Sequence, residues 1–375
     1  MNTLRRIGVQ LNVNDRSKDN SRLWLVFLIL CPLLLNTIRT PNNDFGTISA
    51  IVRDWVAGRT PLYSAGSVYY NYTPWLLFVY IPLSFIPHPF GQLIFNTISL
   101  SLLIWSTWCL TKPVSWRVMA ISLTTIYTGM MMIQGQWDAL VLASLTLGWI
   151  GVQRKNPWLL GIALVGITTK FTNVIIPTLL LLYAVRLWPI KKLIRAAIPP
   201  VITLGISFLI AGWDWPIRYS RLLKLTLLYF QQYEVTTLFS KTLYTISYRL
   251  IQPPFGYILV IFLAVITLYL LFRVSRQGVN LNSMNLAMAL NLVVSPYITF
   301  HHIIYLAPLQ AQLLKKYQVW GFVLFGAAII DILLMWLGVG LIIYPLAALL
   351  ILIIITIGSL RRSETNASDG IENSS

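Results

Sequence analysis

Asp44 is the residue whose type and neighbours best suit proton abstraction. It stands in the stretch 39–74, just past the apolar run Leu23–Ile38. A carboxylate close to hydrocarbon has its pKa raised toward the range useful for deprotonating a hydroxyl. The competing reading is structural. Asn42, Asn43 and Asp44 are all helix-start residues, and an N-cap carboxylate is worth ~1 kcal/mol. Asp54 follows Arg53 and reads as half of a solvated pair. Gln136 and Asp138 follow Met130–Met132. They read either as capping groups or as hydrogen-bonding groups for a hydroxyl-bearing ligand. Lys170, in GITTKFTN between two apolar halves, is either a snorkelling cation or one placed to stabilise developing negative charge. His301 and His302 follow Ser295-Pro296-Tyr297. Adjacent histidines on a helix point different ways, so no metal site is read there. Asp214 and Glu234 lie among Trp213, Trp215, Arg218 and Tyr233, which suits ligand binding and an aromatic interface belt equally. Asp331 stands alone in a late apolar run.

The elements that must carry these residues are apolar. Of 375 residues, 57% are hydrophobic and 10% charged, against about 25% charged in soluble domains. Mean hydropathy is +0.72. The run Leu341–Leu360 has no charge, and ~20 such residues form a helix long enough to cross ~30 Å of hydrocarbon. Candidate segments are 23–38, 75–88, 91–110, 116–134, 138–152, 157–186, 193–212, 256–273, 281–299, 303–314, 319–337 and 341–360. The expected fold is an all-α polytopic transmembrane bundle of roughly 10–13 membrane helices. Segment 157–186 is one long helix or two halves broken near Thr168–Lys170, and 303–314 is short enough to be re-entrant. Residues 1–22 read as a polar cytoplasmic tail, 23–360 as the membrane domain, and 361–375 as a disordered tail.

Lys and Arg total 28 against 11 Asp and Glu, a net charge of +17. These cations sit in short clusters between apolar runs, which is orientation by the positive-inside rule and not a nucleic-acid footprint. Membrane lipids are the expected surroundings. Cys31 and Cys109 lie in apolar runs and make no disulfide or metal pattern. Lys112 and Arg117 conflict with simple alternation: either the rule is broken there or one nearby segment does not span. The loops 39–74 and about 213–255 are expected to face away from the cytoplasm. In the first, Phe45, Ile48, Ile51, Val52, Trp55 and Val56 recur at helical spacing before Gly58. That predicts an amphipathic interfacial helix with Asp44 at its mouth.

Asp44-Phe45, Gly58-Arg59-Thr60-Pro61-Leu62-Tyr63, Tyr72-Thr73-Pro74 and Gly135-Gln136-Trp137-Asp138 together form a spaced pattern. It resembles the bacterial polyprenyl-phosphate-dependent α-1,2-mannosyltransferase-like family, glycosyltransferase family 87. The likeness runs from about Leu23 to Leu314. It implies a GT-C-type fold with Asp44 as base for the acceptor hydroxyl. It also implies inverting transfer of a hexose, mannose above others, from a polyprenyl-phosphate sugar donor to a lipid or glycan acceptor at the outer face of the cell membrane. It adds weight to one of His301 and His302 without saying which. With such a donor, Lys170 would neutralise its phosphate, and Gln136, Asp138 and Tyr72 are the further substrate-binding candidates. No cofactor is implied. There is no Walker A loop, G-x-G-x-x-G or D-x-D, so the usual handles for a nucleotide sugar and its metal are missing. The rival reading is a secondary transporter or lipid flippase. Such proteins often carry two related halves, and no internal repeat is visible here. A structural membrane subunit is the third class.

Overall fold

The computed structural model describes residues 43–64, 72–112, 114–232, 255–276, 278–295, 300–336 and 343–372. The expected tail 1–22, the first span 23–38, Cys31 and Glu234 lie outside them. The described residues form helices only. In chain order these are α1 (Asp44–Val56), α2 (Leu77–Ser84), α3 (His88–Thr111), α4 (Trp116–Leu123), α5 (Ile126–Gln134), α6 (Asp138–Gln153), α7 (Pro157–Ile167) and α8 (Ile175–Ala184). There follow α9 (Ile190–Ala211), α10 (Trp215–Gln232), α11 (Phe255–Arg276), α12 (Leu281–Val294), α13 (Ala307–Lys316), α14 (Gln318–Trp336) and α15 (Ile343–Glu372). Short 3-10 helices cover Pro74–Leu76, Thr168–Asn173 and Phe300–Leu306.

Helices α6 and α12 are apolar all round and buried almost throughout, as central helices of a bundle must be. Helices α9 and α11 do the opposite. Val201, Ile202, Leu209, Ile258, Ile261 and Phe262 are all exposed, a surface that only lipid can cover. Three helices are long and apolar enough to cross a membrane unaided: His88–Thr111, Ile190–Ala211 and Ile343–Leu360. The other apolar helices are shorter because the chain interrupts them. Segment 116–134 is two helices, α4 and α5, and 157–186 is two halves, α7 and α8. At the second break Lys170 leaves helical geometry, at φ −136° and ψ 53°. Where α7 meets α9, Gly161 permits close approach: a Cβ there would lie 2.5 Å from the Ala196 carbonyl oxygen. Small residues at helix contacts are the usual basis of packing in lipid.

The bundle has two chemically different ends. Lys112, Arg154, Lys155, Arg186, Lys192, Arg276 and Lys315 fall at one end, since α3, α6, α8, α11 and α13 finish there and α7 and α9 start there. Asp44, Gln136 and Lys170 fall at the other. Lys112 therefore joins the other cations, and the conflict in counting has a structural answer in α2. Its preceding turn is tied by Trp75 Nε1 to the Val165 carbonyl near the inner end of α7 (3.1 Å), while Ser84 at its end accepts from Arg53 of α1 (2.9 Å). Both ends of Pro74–Ser84 thus sit at the Asp44 end. Its helical run, at 1.5 Å per residue, reaches only about half of a ~30 Å core.

Two further expectations change in detail. Residues 215–232 of the second expected loop are the helix α10, and the polar run after Leu360 continues α15 to Glu372. Asp331, unexplained from sequence, is a cap placed in another helix. Its carboxylate accepts from the backbone N–H groups of Ile343 (2.8 Å) and Tyr344 (3.0 Å) at the start of α15, and from the Tyr127 hydroxyl (3.1 Å). Helix N-termini carry unsatisfied donors and partial positive charge, which a buried carboxylate matches.

Candidate functional site

Helix α1 starts where the sequence predicted, but its cap is Asn43. The Asn43 Oδ1 accepts from Gly46 N (2.8 Å), and its Nδ2 donates to Gln92 Oε1 on α3 (2.8 Å). Gln92 in turn donates to the Met132 and Ile133 carbonyls of α5. The cap is thus Asn43 and not Asp44, which stands at the first helical position. The apolar face of α1 lies on protein, with Phe45, Ile48, Ile51 and Val52 buried in the main core. Beyond the helix, Gly58 takes the left-handed conformation expected of a stop (φ +69°). Asp54 pairs with Arg59 (2.6 Å), both well exposed, and Arg53 goes to Ser84 instead.

The Gly135-Gln136-Trp137-Asp138 turn faces Asp44 because Gly135 allows it. Gly135 ends α5 with φ +67°, and a Cβ there would collide with Phe45. Only glycine satisfies both conditions. Gln136 then bridges two charged groups: its Nε2 donates to Asp44 Oδ2, and its Oε1 accepts from Lys170 Nζ (2.7 Å).

Lys170 is buried, and its ammonium meets Asp138 at 2.9 Å, with side chains 7% and 0% exposed. It also lies 4.8 Å from the centre of the Trp137 ring. The snorkelling reading is thus replaced by a buried ion pair. Asp138 opens α6 and accepts a second short bond from the Tyr305 hydroxyl (2.5 Å). Its carboxylate serves these side chains, not the N–H groups of its own helix.

His301 and His302 converge, contrary to the expectation that neighbours diverge. They lie on the 3-10 helix Phe300–Leu306 with rings 4.3 Å apart. One carboxylate, Asp138, sits between them, 3.8 Å from His301 Nε2 and 3.7 Å from His302 Nε2. Those distances exceed hydrogen bonding. The closer partners are Gln134 Oε1 for His301 Nδ1 (2.9 Å) and Asn173 Nδ2 for His302 Nε2 (2.7 Å). The Asp138, His301 and His302 ligand atoms lie within 4.8 Å of one another, a spacing that could hold a metal ion. The Lys170 ammonium already occupies the carboxylate, so the protein supplies its own cation.

Asp44 is half-buried, and its carboxyl is pushed up to about 6. Burial is the main cause; the Lys170 ammonium works against it and the Asp138 carboxylate works with it. That is a carboxylate poised to accept a proton near neutral pH.

The site thus gathers Asp44, Gln136, Asp138, Lys170, His301 and His302. Tyr72 touches it through Trp137, standing edge-on with ring centroids 4.0 Å apart. Asp214 does not join it. It pairs with Arg218 (3.0 Å), which also donates to the Leu62 carbonyl (3.1 Å) and so fastens α10 to the chain after α1. Tyr305, Asn173, Gln134 and Trp137 were missed from sequence. A 3-10 helix repeats every three residues, so His302 and Tyr305 share a face of Phe300–Leu306, whereas the kink at Lys170 breaks any such period toward Asn173. Reading Phe300–Leu306 at period three would have found Tyr305. Trp137 Nε1 is buried without a hydrogen-bond partner, a donor left for a ligand.

The search of curated proteins and the search of solved structures each returned no match. The family model of glycosyltransferase family 87 matches residues 70–296. That span is more than half of the chain and contains the Gln136–Asp138 turn and Lys170. On that match, over an all-helical bundle with membrane-length apolar helices, the chain belongs to glycosyltransferase family 87 and is a membrane glycosyltransferase.

Proposed function

We propose that the enzyme is an inverting hexosyltransferase, with mannose the favoured sugar, that uses a polyprenyl-phosphate sugar at the non-cytoplasmic side of the cell membrane. The observation that carries this is Asp44: half-buried, relieved of capping by Asn43, and linked through Gln136 to the Lys170–Asp138 pair. In the proposed step Asp44 takes the proton of an acceptor hydroxyl. The acceptor oxygen bonds to the anomeric carbon from the face opposite the lipid phosphate, and the carbon–oxygen bond to that phosphate breaks. One displacement inverts the anomeric centre, and the leaving phosphate keeps the electron pair.

Lysine has three N–H donors. Gln136 Oε1 and both Asp138 carboxylate oxygens engage the Lys170 ammonium, so a donor phosphate would share it by displacing the longer Asp138 contact. His301 and His302 are two further groups for substrate, and the acceptor is a lipid or glycan. A positioned cation in a low-dielectric site stabilises developing charge by several kcal/mol. Purified protein given radiolabelled polyprenyl-phosphate mannose and a membrane lipid extract, in excess EDTA, is expected to turn over. Turnover from GDP-mannose alone, with no lipid intermediate, would defeat the donor assignment.

The cations gathered at the end opposite Asp44 support this side of the membrane, since the positive-inside rule favours basic ends in the cytoplasm. A Ser64→Cys variant lacking Cys31 and Cys109 should react with an impermeant thiol reagent on intact cells. Labelling only after lysis would reverse the orientation.

A further inference from the structure

A cavity lies at the basic end, far from the chemistry. It measures about 520 Å³ and opens between the last turns of α3 and the start of α4, lined by Ile104, Trp105, Trp108, Val114, Trp116 and Met119. That volume is within the ~300–1,000 Å³ of ordinary ligand sites. Its walls are apolar, and Trp108 and Trp116 are exposed at its rim. Its mouth is cationic. Lys112 Nζ lies 3.4 Å from the centre of the Trp108 ring. Lys315 Nζ reaches the Thr111 carbonyl at 3.5 Å. Arg154 and Lys112 are both electrostatic neighbours of Cys109, one turn back on α3. Among the described residues none of these three cations has an acidic partner.

We propose that this cleft is a binding site for one anionic glycerophospholipid, distinct from the transfer site. An acyl chain fills the tryptophan-lined cavity, and the headgroup phosphate lies against Lys112 and Arg154. Charge complementarity selects the occupant: a zwitterionic lipid brings a positive headgroup to the same cations, whereas an anionic one matches them. Basic pockets between membrane helices on the cytoplasmic side favour anionic headgroups, and tryptophans at such a rim suit the boundary between acyl chain and headgroup. The donor is a poor occupant, because its phosphate must reach the opposite end of the bundle. The inference does not depend on the identity of the donor.

The test uses the full chain in nanodiscs with matched phosphatidylglycerol and phosphatidylcholine probes carrying a photoreactive acyl chain. Crosslinks between Ile104 and Met119 should favour phosphatidylglycerol roughly tenfold or more, as two cations beside an anionic headgroup imply. Lys112→Gln with Arg154→Gln should remove the preference and leave the melting temperature unchanged. Ser101→Phe, which adds bulk at the cavity wall, should lower crosslinking of both lipids. Equal labelling by the two probes, a preference that survives the double variant, or displacement by polyprenyl phosphate would each overturn the proposal.

Discussion

Asp44→Asn is expected to lower sugar transfer by ~10²-fold or more, the range for loss of an acid–base group. The substitution keeps the size of the side chain and leaves the helix cap on Asn43 untouched, so expression and folding should persist. The sign of the pH effect follows from the raised carboxyl. Folding favours the protonated acid, so ionised Asp44 costs stability as pH rises from about 4 to about 6. The wild-type rate should climb through pH ~6, as the base is uncovered, and then level off. Above that pH the asparagine variant should be the more stable protein, by up to ~3 kcal/mol. A variant that is slower and melts higher identifies a carboxylate held for its basicity. An active Asp44→Asn enzyme would end the assignment.

Lys170→Met should be the most damaging single change to the fold at this site. It strands the Asp138 carboxylate, which is 0% exposed, with the Tyr305 hydroxyl as its remaining close partner. Removing one member of a buried ion pair costs ~3–5 kcal/mol, which a melting curve in detergent resolves easily. Asp138→Asn should cost a similar amount by stranding the ammonium. The double variant Lys170→Met/Asp138→Asn should recover most of the lost stability, because no unpaired charge remains, yet stay without transferase activity. If all three melt alike, the pair does not act as a unit. If the double variant transfers sugar, the pair is a structural element alone.

Much of this was readable before any coordinates. The apolar runs gave the helical bundle, and Asn43 with Gly58 bounded α1 to within a residue or two. The triads that close the site were harder. His302 and Tyr305 sit on a 3-10 helix, whose period of three an α-helical reading scrambles, and Lys170 sits at a kink that no period encodes. Nothing in the spacing shows that one carboxylate would lie between two neighbouring histidines. The topology near Lys112 was obscured because Pro74–Ser84 is apolar enough to read as a crossing. Its length became decisive only once both of its ends were seen beside Asp44. Asp331 was opaque for a different reason. Two of its partners are backbone N–H groups, which carry no signature in side-chain sequence, and the third, Tyr127, is 204 residues away.

That last carboxylate also bears on biogenesis. An aspartate within an apolar helix raises the cost of membrane insertion, and Asp331 stands in the last third of α14. Donors that meet its carboxylate belong to other helices: the Tyr127 hydroxyl of α5 and the Ile343 and Tyr344 N–H groups at the start of α15. Two of these three donors are synthesised after α14, so the two helices are expected to settle in lipid together. A chain truncated at Trp336 should insert α14 less efficiently than the full chain, which a glycosylation-site insertion assay would read.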